Sequence, residues 1–532
     1  MKNSIFHEQV PDWMEKCCIT LLLCSQIMVS GIPANAIALV TSFLGDEKDN
    51  IQFIYYGGVI GSAAIYPLIT RFLRYFRKRH LLQLCIALEL FLLILSVFCA
   101  NNLQLFICNF LLSSIKMIGL ITCIGIFMRK FIPDNSRGML YGIYYSLSFS
   151  LSQLYAYWVA ILLQSFSWKY TFLISLPGIF ISLLIVVFLM HPRRMERKYP
   201  LYQMDWVGYL IFVASSLCLS FVCIFGERLD WLESGQICFV LICAIMGYLL
   251  WTFRMLTTRR PYVDIRVLTR YSHVRVGVLF MVALFFIYNT FSISTEFMKV
   301  NLGYNDSYVA ASNLYLIIPF AICIPITGIW LHKVHRVRES LFIGFSLFAV
   351  YYLYTAQFFY PEENNNFFMI PMVIRGAAYG ISITSLSYYA SVNIPSTENS
   401  SRAFFSIISR SVLAAPITSA LWLDRFNFFK QRQYEIISAQ YGIDDYRVSI
   451  IWKSLVSSHT RNGSSVEQAE QLANSTLHAM IYKDALILSA QNIYYVLAVL
   501  SIILALVAIS LKVLNIHYVS EKNKYPLTYM DL

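Results

Sequence analysis

The chain is built from apolar runs of about twenty residues, the length a helix needs to cross a bilayer. Fourteen runs qualify by that ruler, at roughly 17–42, 51–70, 80–100, 103–128, 138–163, 168–190, 205–226, 236–256, 274–297, 307–331, 339–359, 367–390, 401–423 and 486–512. Only 13% of the 532 residues are charged and 58% are hydrophobic, whereas a soluble domain carries about 25% charged residues. A soluble chain of this composition could not cover its own surface. The expected fold class is all-α, a polytopic membrane protein of about 14 transmembrane helices. The net charge of +12 would point to nucleic acid in a soluble protein. Here the basic residues lie in short clusters between apolar runs, so they report topology, and no nucleic-acid partner is expected.

Alternate short loops differ sharply in charge. One set carries 22 Lys and Arg, including Arg71 to Arg79, Arg193 to Lys198, Arg254 to Arg275, and Arg402. The other set carries four: Lys48, Lys169, Arg228 and Lys299. The rich set is read as cytoplasmic, which places both termini there and the protein in the plasma (inner) membrane. The first sixteen residues are polar and the run after them is too long for a signal-peptide core, so it is read as a retained span. The 12 Cys lie in or beside apolar runs with no CxxC spacing, and read as small hydrophobes rather than disulfides or metal ligands. No P-loop, HExxH or nucleophile-elbow motif is present, so no enzyme, cofactor or metal is expected.

A weak internal repeat is visible. Pro67 to Arg79 closes the second span and Pro325 to Arg338 closes the tenth, each an apolar helix end with Pro followed by a tight basic loop. Such repeats are common in secondary transporters. The expected division is a six-helix bundle over 1–200, an inserted helix pair over 201–260, and a second six-helix bundle over 261–532. The one long loop, at about 424–485, is on the outer side. Within it Ser465 to Asn474 reads as an amphipathic helix capped by Ser464 or Ser465. It is read either as a lid or as a docking surface for a periplasmic adaptor.

Several stretches carry a resemblance. Met204-Asp-Trp-Val-Gly208 with Gly226 to Ser234, Trp168 to Gly178, Pro261-Tyr-Val-Asp-Ile-Arg266, Ser409-Arg410 and Leu486 to Gln491 resemble the fourteen-span drug:proton antiporters of the major facilitator superfamily (the EmrB/QacA type). The resemblance runs along essentially the whole chain. It implies a two-bundle fold with two inserted helices, rocking about a central cavity. The family's coupling residues do not carry over. Its span 1 Asp position holds Ser30, although Asn35 is kept; its span 4 Arg position holds Phe110; its span 5 glycine motif falls on Tyr155 to Ala160. The chain is therefore a divergent member by resemblance.

Ionisable residues at bilayer depth cost at least about 2.5–3.5 kcal/mol and are functional candidates for that reason. Five stand out: Glu89 in span 3, Lys116 in span 4, Glu296 toward the outer end of span 9, Arg375 in span 12 and Arg410 in span 13. Glu89 and Lys116 share a depth on consecutive helices. Either they pair, or Glu89 is a protonatable coupling site biased by Lys116. Glu296 reads as a carboxylate for a cation or proton, or as an interfacial anchor. Arg375 and Arg410 read as ligands for an anionic group, or as partners of backbone carbonyls at helix breaks. Tyr144, Tyr155 and Trp158 on span 5 are candidate cavity aromatics.

The function expected is secondary active transport, an ion-gradient-coupled efflux of lipophilic or amphipathic small molecules by alternating access. The partners are then the substrate, a proton or other coupling ion, and the lipid bilayer. The alternatives are a narrow or anionic substrate with different coupling, and a non-transporting membrane scaffold or sensor.

Overall fold

The structure, a computed structural model, describes residues 6–7, 10–29, 37, 41, 47–99, 101–132, 136–166, 168–191, 201, 204–357, 359, 369–440, 446–463 and 465–511. Among these residues regular structure is helical, and one isolated bridge joins Phe6 to Met190. Thirteen helical stretches are long and apolar enough to cross a membrane, and they fall on spans 2 to 14 of the sequence reading. In order they are Lys48–Tyr75, Lys78–Val97, Asn102–Phe131, Arg137–Leu163, Trp168–Phe188, Trp206–Phe225, Gly235–Thr257, Ser272–Val300, Asp306–Lys333, Val337–Gln357, Met369–Ser391, Glu398–Ala439 and Val466–Ile509. Span 1 is described as the helix Asp12–Met28, which stops where Val29 turns extended. Ser30 and Asn35 lie outside the described residues. All 12 cysteines are free thiols.

Two large apolar cores occupy the two halves of the chain. The first gathers Leu22, Leu82, Ile86, Leu93, Leu112 and Ile179 from spans 1, 3, 4 and 6. The second gathers Leu284, Phe320, Phe345, Tyr352, Ile383 and Tyr494 from spans 9 to 12 and 14. A third core joins spans 7 and 8 to spans 2 and 13. There Phe212 of span 7 packs on Trp251 of span 8 at 5.6 Å and on Phe404 of span 13 at 5.3 Å. The extra pair is thus seated against one helix from each half.

Local chemistry explains the residue spacing around position 205. Asp205 accepts a hydrogen bond from the Gly208 amide at 3.0 Å and so caps the start of span 7. It also takes a fork from Arg254 at the end of span 8, with Nη2 at 2.7 Å and Nε at 3.0 Å. A Cβ at position 208 would come within 2.5 Å of the Asp205 carboxylate. One carboxylate therefore starts one helix and clamps it to the end of the next. A second tie joins the start of the span 1 helix to the end of span 4. Lys130 bonds Glu15 at 2.6 Å and also pairs with Asp12, which Lys16 reaches at 2.9 Å. Hydrogen bonding to Lys130, then to Lys16, holds the Asp12 carboxyl down at about 2. A depressed carboxyl keeps its contribution above its ordinary pKa and loses it only as pH falls toward that value, so this tie is intact across the neutral range.

The long segment at 424–485 is helical among its described residues. Ala415–Gln440 continues span 13, Tyr446–Arg461 follows, and Val466–Ile509 runs 44 residues without a break. Ser465 caps that last helix in a reciprocal capping box with Gln468. At 1.5 Å per residue it is about 66 Å long, more than twice the apolar thickness of a bilayer. Its first half therefore stands outside the membrane. Ile437, Ile481 and Ala485 form a small core there, and Tyr434 hydrogen-bonds His478 at 2.8 Å.

Replacing Asp205 by Ala removes both the cap and the clamp, whereas Asn keeps a cap oxygen. Losing a cap costs about 1 kcal/mol. Asp205→Ala is expected to melt at a lower temperature than Asp205→Asn, and both below the wild type, in a thermal-shift series in detergent.

Candidate functional site

The residues that bring the two halves together are aromatic and cationic. Span 5 contributes Tyr141, Tyr145 and Phe149, spaced four apart and so on one helix face. The Tyr141 and Tyr145 rings stack at 5.7 Å, and the Tyr145 and Phe149 rings at 5.3 Å. Phe149 meets Tyr379 of span 12 at 5.3 Å, and Tyr379 stacks on Tyr288 of span 9 at 4.0 Å. Three guanidiniums attach to this ladder. Arg375 lies over Tyr288 at 4.6 Å, Arg410 over Tyr145 at 5.8 Å, and Arg402 donates to the Tyr141 hydroxyl at 3.1 Å. The ladder runs from Arg402 at one end to Arg375 at the other. Offset and tilted ring pairs contribute about 0.5–1.5 kcal/mol each beyond area burial, and a cation over a ring about as much.

Span 9 is broken in the middle of this site. Its helices Ser272–Tyr288 and Phe291–Val300 are separated by Asn289 and Thr290. A break frees backbone carbonyls, which have no water to turn to inside a membrane. Three side chains from three other spans donate to carbonyls at the break, the one at Tyr288 alongside the Thr290 amide at 2.9 Å. Trp422 donates to the Phe286 carbonyl at 2.7 Å, Tyr352 to that of Ile287 at 2.5 Å, and Arg375 to that of Tyr288 at 3.0 Å. Asn289 in turn donates to the Ala415 carbonyl and to Thr418 at 3.3 and 3.0 Å. Arg375 thus holds a backbone carbonyl and covers a ring at once. Arg410 lies in a π-helical stretch, Ile408–Ala414, a local widening that is frequent at functional sites.

The other sequence candidates are placed elsewhere. Glu89 is fully buried in the first half, and Gln26 of span 1 donates to its Oε2 at 2.8 Å. Lys116 donates to the Ile27 carbonyl at 3.2 Å, and no ion pair joins it to Glu89. Glu296 accepts from Lys430 at 2.8 Å and from Tyr482 at 3.2 Å, which ties the helices Ala415–Gln440 and Val466–Ile509 to span 9. Of the three aromatic candidates, Tyr144 packs against both large cores. Tyr155 is buried within the first core, while Trp158 is 49% exposed. The ladder residues Tyr288 and Tyr379 carried no distinguishing mark in a chain with 36 tyrosines. Gln26 did carry a signal, as a lone amide in the run Ile19 to Met28. Arg402, counted from sequence as a loop charge, is buried and held by Asn399 at 2.6 Å.

The start of span 5 and the end of span 10 are in backbone contact. A Cβ at Gly328 would lie 2.7 Å from the Gly138 carbonyl oxygen and 2.8 Å from the Gly142 Cα. Ser136 and His332 hydrogen-bond across the same seam at 2.8 Å, and Arg137 reaches the Ile394 carbonyl at 3.2 Å. The two halves are closed on this side.

The profile of the Major Facilitator Superfamily matches residues 19–417. The chain belongs to that superfamily. This major facilitator is 20% identical over 452 residues to the probable multidrug resistance protein EmrY of Escherichia coli (strain K12), covering 81% of this chain and 86% of EmrY. It is 22% identical over 268 residues to the multidrug export protein EmrB of the same organism, covering 49% of this chain and 51% of EmrB. Among solved structures, a POT family transporter in complex with 5-aminolevulinic acid superposes with a TM-score of 0.55 at 13% identity, over 93% of this chain and 95% of that one. The nucleoside transporter NupG superposes with a TM-score of 0.52 at 12% identity, over 93% and 99%. These likenesses establish the fold. The family makes the chain a membrane transporter and not an enzyme.

Two outcomes are expected. Gly328→Val cannot be absorbed by side-chain motion, because the atoms it meets are backbone. It should lengthen the distance between spin labels at the contacting ends of spans 5 and 10, read by pulsed electron paramagnetic resonance. Arg375→Gln strips charge from the carbonyl of Tyr288 and should destabilise the fold by about 1–3 kcal/mol. Arg375→Lys, which keeps a cationic donor, should recover part of that loss in the same denaturation assay.

Proposed function

We propose that this major facilitator exports lipophilic or amphipathic small molecules by alternating access, driven by an ion gradient with the proton as coupling ion. The observation that carries the reading is the ladder of stacked rings and guanidiniums where the halves meet. Flat apolar molecules gain affinity from area and stacking. Guanidinium and phenol donors suit a substrate whose polar end accepts hydrogen bonds. The Phe149–Tyr379 contact joins span 5 to span 12, so a substrate entering between the bundles replaces it. The names of EmrY and EmrB, a multidrug resistance protein and a multidrug exporter, support the same class of substrate.

The moving parts in this reading are the bundles 1–200 and 261–532, with the pair 201–260 seated on spans 2 and 13. The break in span 9 and the π stretch in span 13 are the places where helix geometry can change. The protein is assigned to the plasma (inner) membrane with both termini cytoplasmic. The helices of 424–485, with Tyr446 and Ile450 exposed, suit contact with an extracytoplasmic adaptor.

The test is uptake of fluorescent amphipathic compounds into everted vesicles, with and without an imposed proton gradient. Gradient-dependent uptake is expected. Tyr379→Ala should raise KM roughly tenfold, the equivalent of about 1.4 kcal/mol of lost stacking. Absence of uptake of every amphipathic probe by inserted, folded protein would overturn the proposal.

A further inference from the structure

The least explained polar group in the molecule is not at the ladder but inside the first half. Glu89 and Gln26 are both fully buried. Gln26 Nε2 donates to Glu89 Oε2 at 2.8 Å. That leaves two oxygens, Glu89 Oε1 and Gln26 Oε1, buried without a hydrogen-bond partner. Both border the same small space over Gly119 of span 4. A Cβ placed there would lie 2.4 Å from Gln26 Oε1 and 3.2 Å from Glu89 Oε1. An amide oxygen can only accept, and an ionised carboxylate can only accept. Two buried acceptors around one gap are the mark of a missing donor hydrogen. An ionised Glu89 would also be a buried charge with one hydrogen bond and no ion pair, which is a costly arrangement.

We propose that Glu89 and Gln26 form a proton-binding site, in which a proton on Glu89 Oε1 is donated to Gln26 Oε1 while Gln26 Nε2 donates back to Glu89 Oε2. The O–H bond forms when a solvent proton is taken up and breaks when it is released, and no other bond changes. This closed two-hydrogen-bond ring satisfies both orphan oxygens at once. The proposal rests on the transport reading above and supplies its coupling site.

Lys116 connects the proton to the helices. It lies one turn before Gly119 on span 4, and its ammonium holds the Ile27 carbonyl at 3.2 Å, next to Gln26 at the end of the described span 1 helix. A cation is favourable at a helix C-terminus. When Glu89 loses its proton, the new carboxylate competes for that ammonium, and the end of span 1 loses its partner. The groups that face Glu89 are Gln26 on span 1, Lys116 and Cys123 on span 4, and Cys85 on its own helix. Lys116 is the one cation among them. Proton release at Glu89 is therefore linked to the position of span 1, and the site lies away from the ladder where the substrate is placed.

The experiment is infrared difference spectroscopy of the reconstituted protein across a pH titration, which needs no substrate. Wild type is expected to show one carboxylic-acid C=O band that persists above the pH at which ordinary carboxyls ionise. Glu89→Gln should abolish it. That variant should still fold, because its amide can donate to Gln26 Oε1 as the acid does. Gln26→Leu and Gly119→Ala should shift the band's frequency and its titration midpoint, and Lys116→Met should move the midpoint to higher pH. In vesicles, Glu89→Gln should lose the gradient-dependent part of uptake and keep substrate exchange. A spectrum with no Glu89-dependent acid band, or a band indifferent to Gln26→Leu, overturns the proton site. Absence of transport in wild type overturns the functional reading and leaves the infrared result to decide the site.

Discussion

Inside a bilayer no water is available to a backbone group, so every interruption of a helix must be answered by a side chain from elsewhere in the fold. The break in span 9 shows how far this demand reaches. Three spans send donors to the carbonyls at the break: Trp422 from the helix continuing span 13, Tyr352 from span 11 and Arg375 from span 12. These donors are also the residues around which the second core and the ladder are assembled. Tyr352 packs on Tyr494 at 5.2 Å, and Arg375 lies over Tyr288. A local defect in one helix therefore sets the rotation of three others.

The same economy explains why cations are tolerated between the bundles. A guanidinium at bilayer depth is costly on its own, but it is planar, weakly hydrated and able to lie on a ring. Arg375, Arg402 and Arg410 each meet a tyrosine, and Arg402 also meets an amide. The result is a strip that is apolar in area and positive in charge, running between halves that alternating access must separate. The glycine seam at Gly138, Gly142 and Gly328 lets the two backbones close at one end without intervening side chains.

Much of the architecture was legible before the structure. The apolar runs located spans 2 to 14, and the Ser464–Ser465 signature marked a helix start that the structure places at Ser465 and runs on into the last span. The motif around Asp205 was visible as a resemblance, and its physical content, a cap that is also a clamp, came with the geometry. The candidate charges were found because a charge in an apolar run is conspicuous in one dimension. Their partners were not. Lys116 shares a depth with Glu89 yet turns to a carbonyl, while a neutral glutamine 63 positions away takes the carboxylate. The ladder was harder still, because its tyrosines differ from the others only in which way their helices face.

What the sequence alone determined is therefore the membrane class, the spans and the bias of charge between their ends. The bilayer imposes those through length and apolarity, which are local properties of the chain. What only the tertiary structure decided is the rotation of each helix about its axis, and hence which side chains meet. Lipid is indifferent to that rotation. It is set by packing and by polar groups seeking partners across spans, and those partners are scattered along the chain, as Tyr145 and Ser387 are, 242 residues apart and 2.8 Å from oxygen to oxygen.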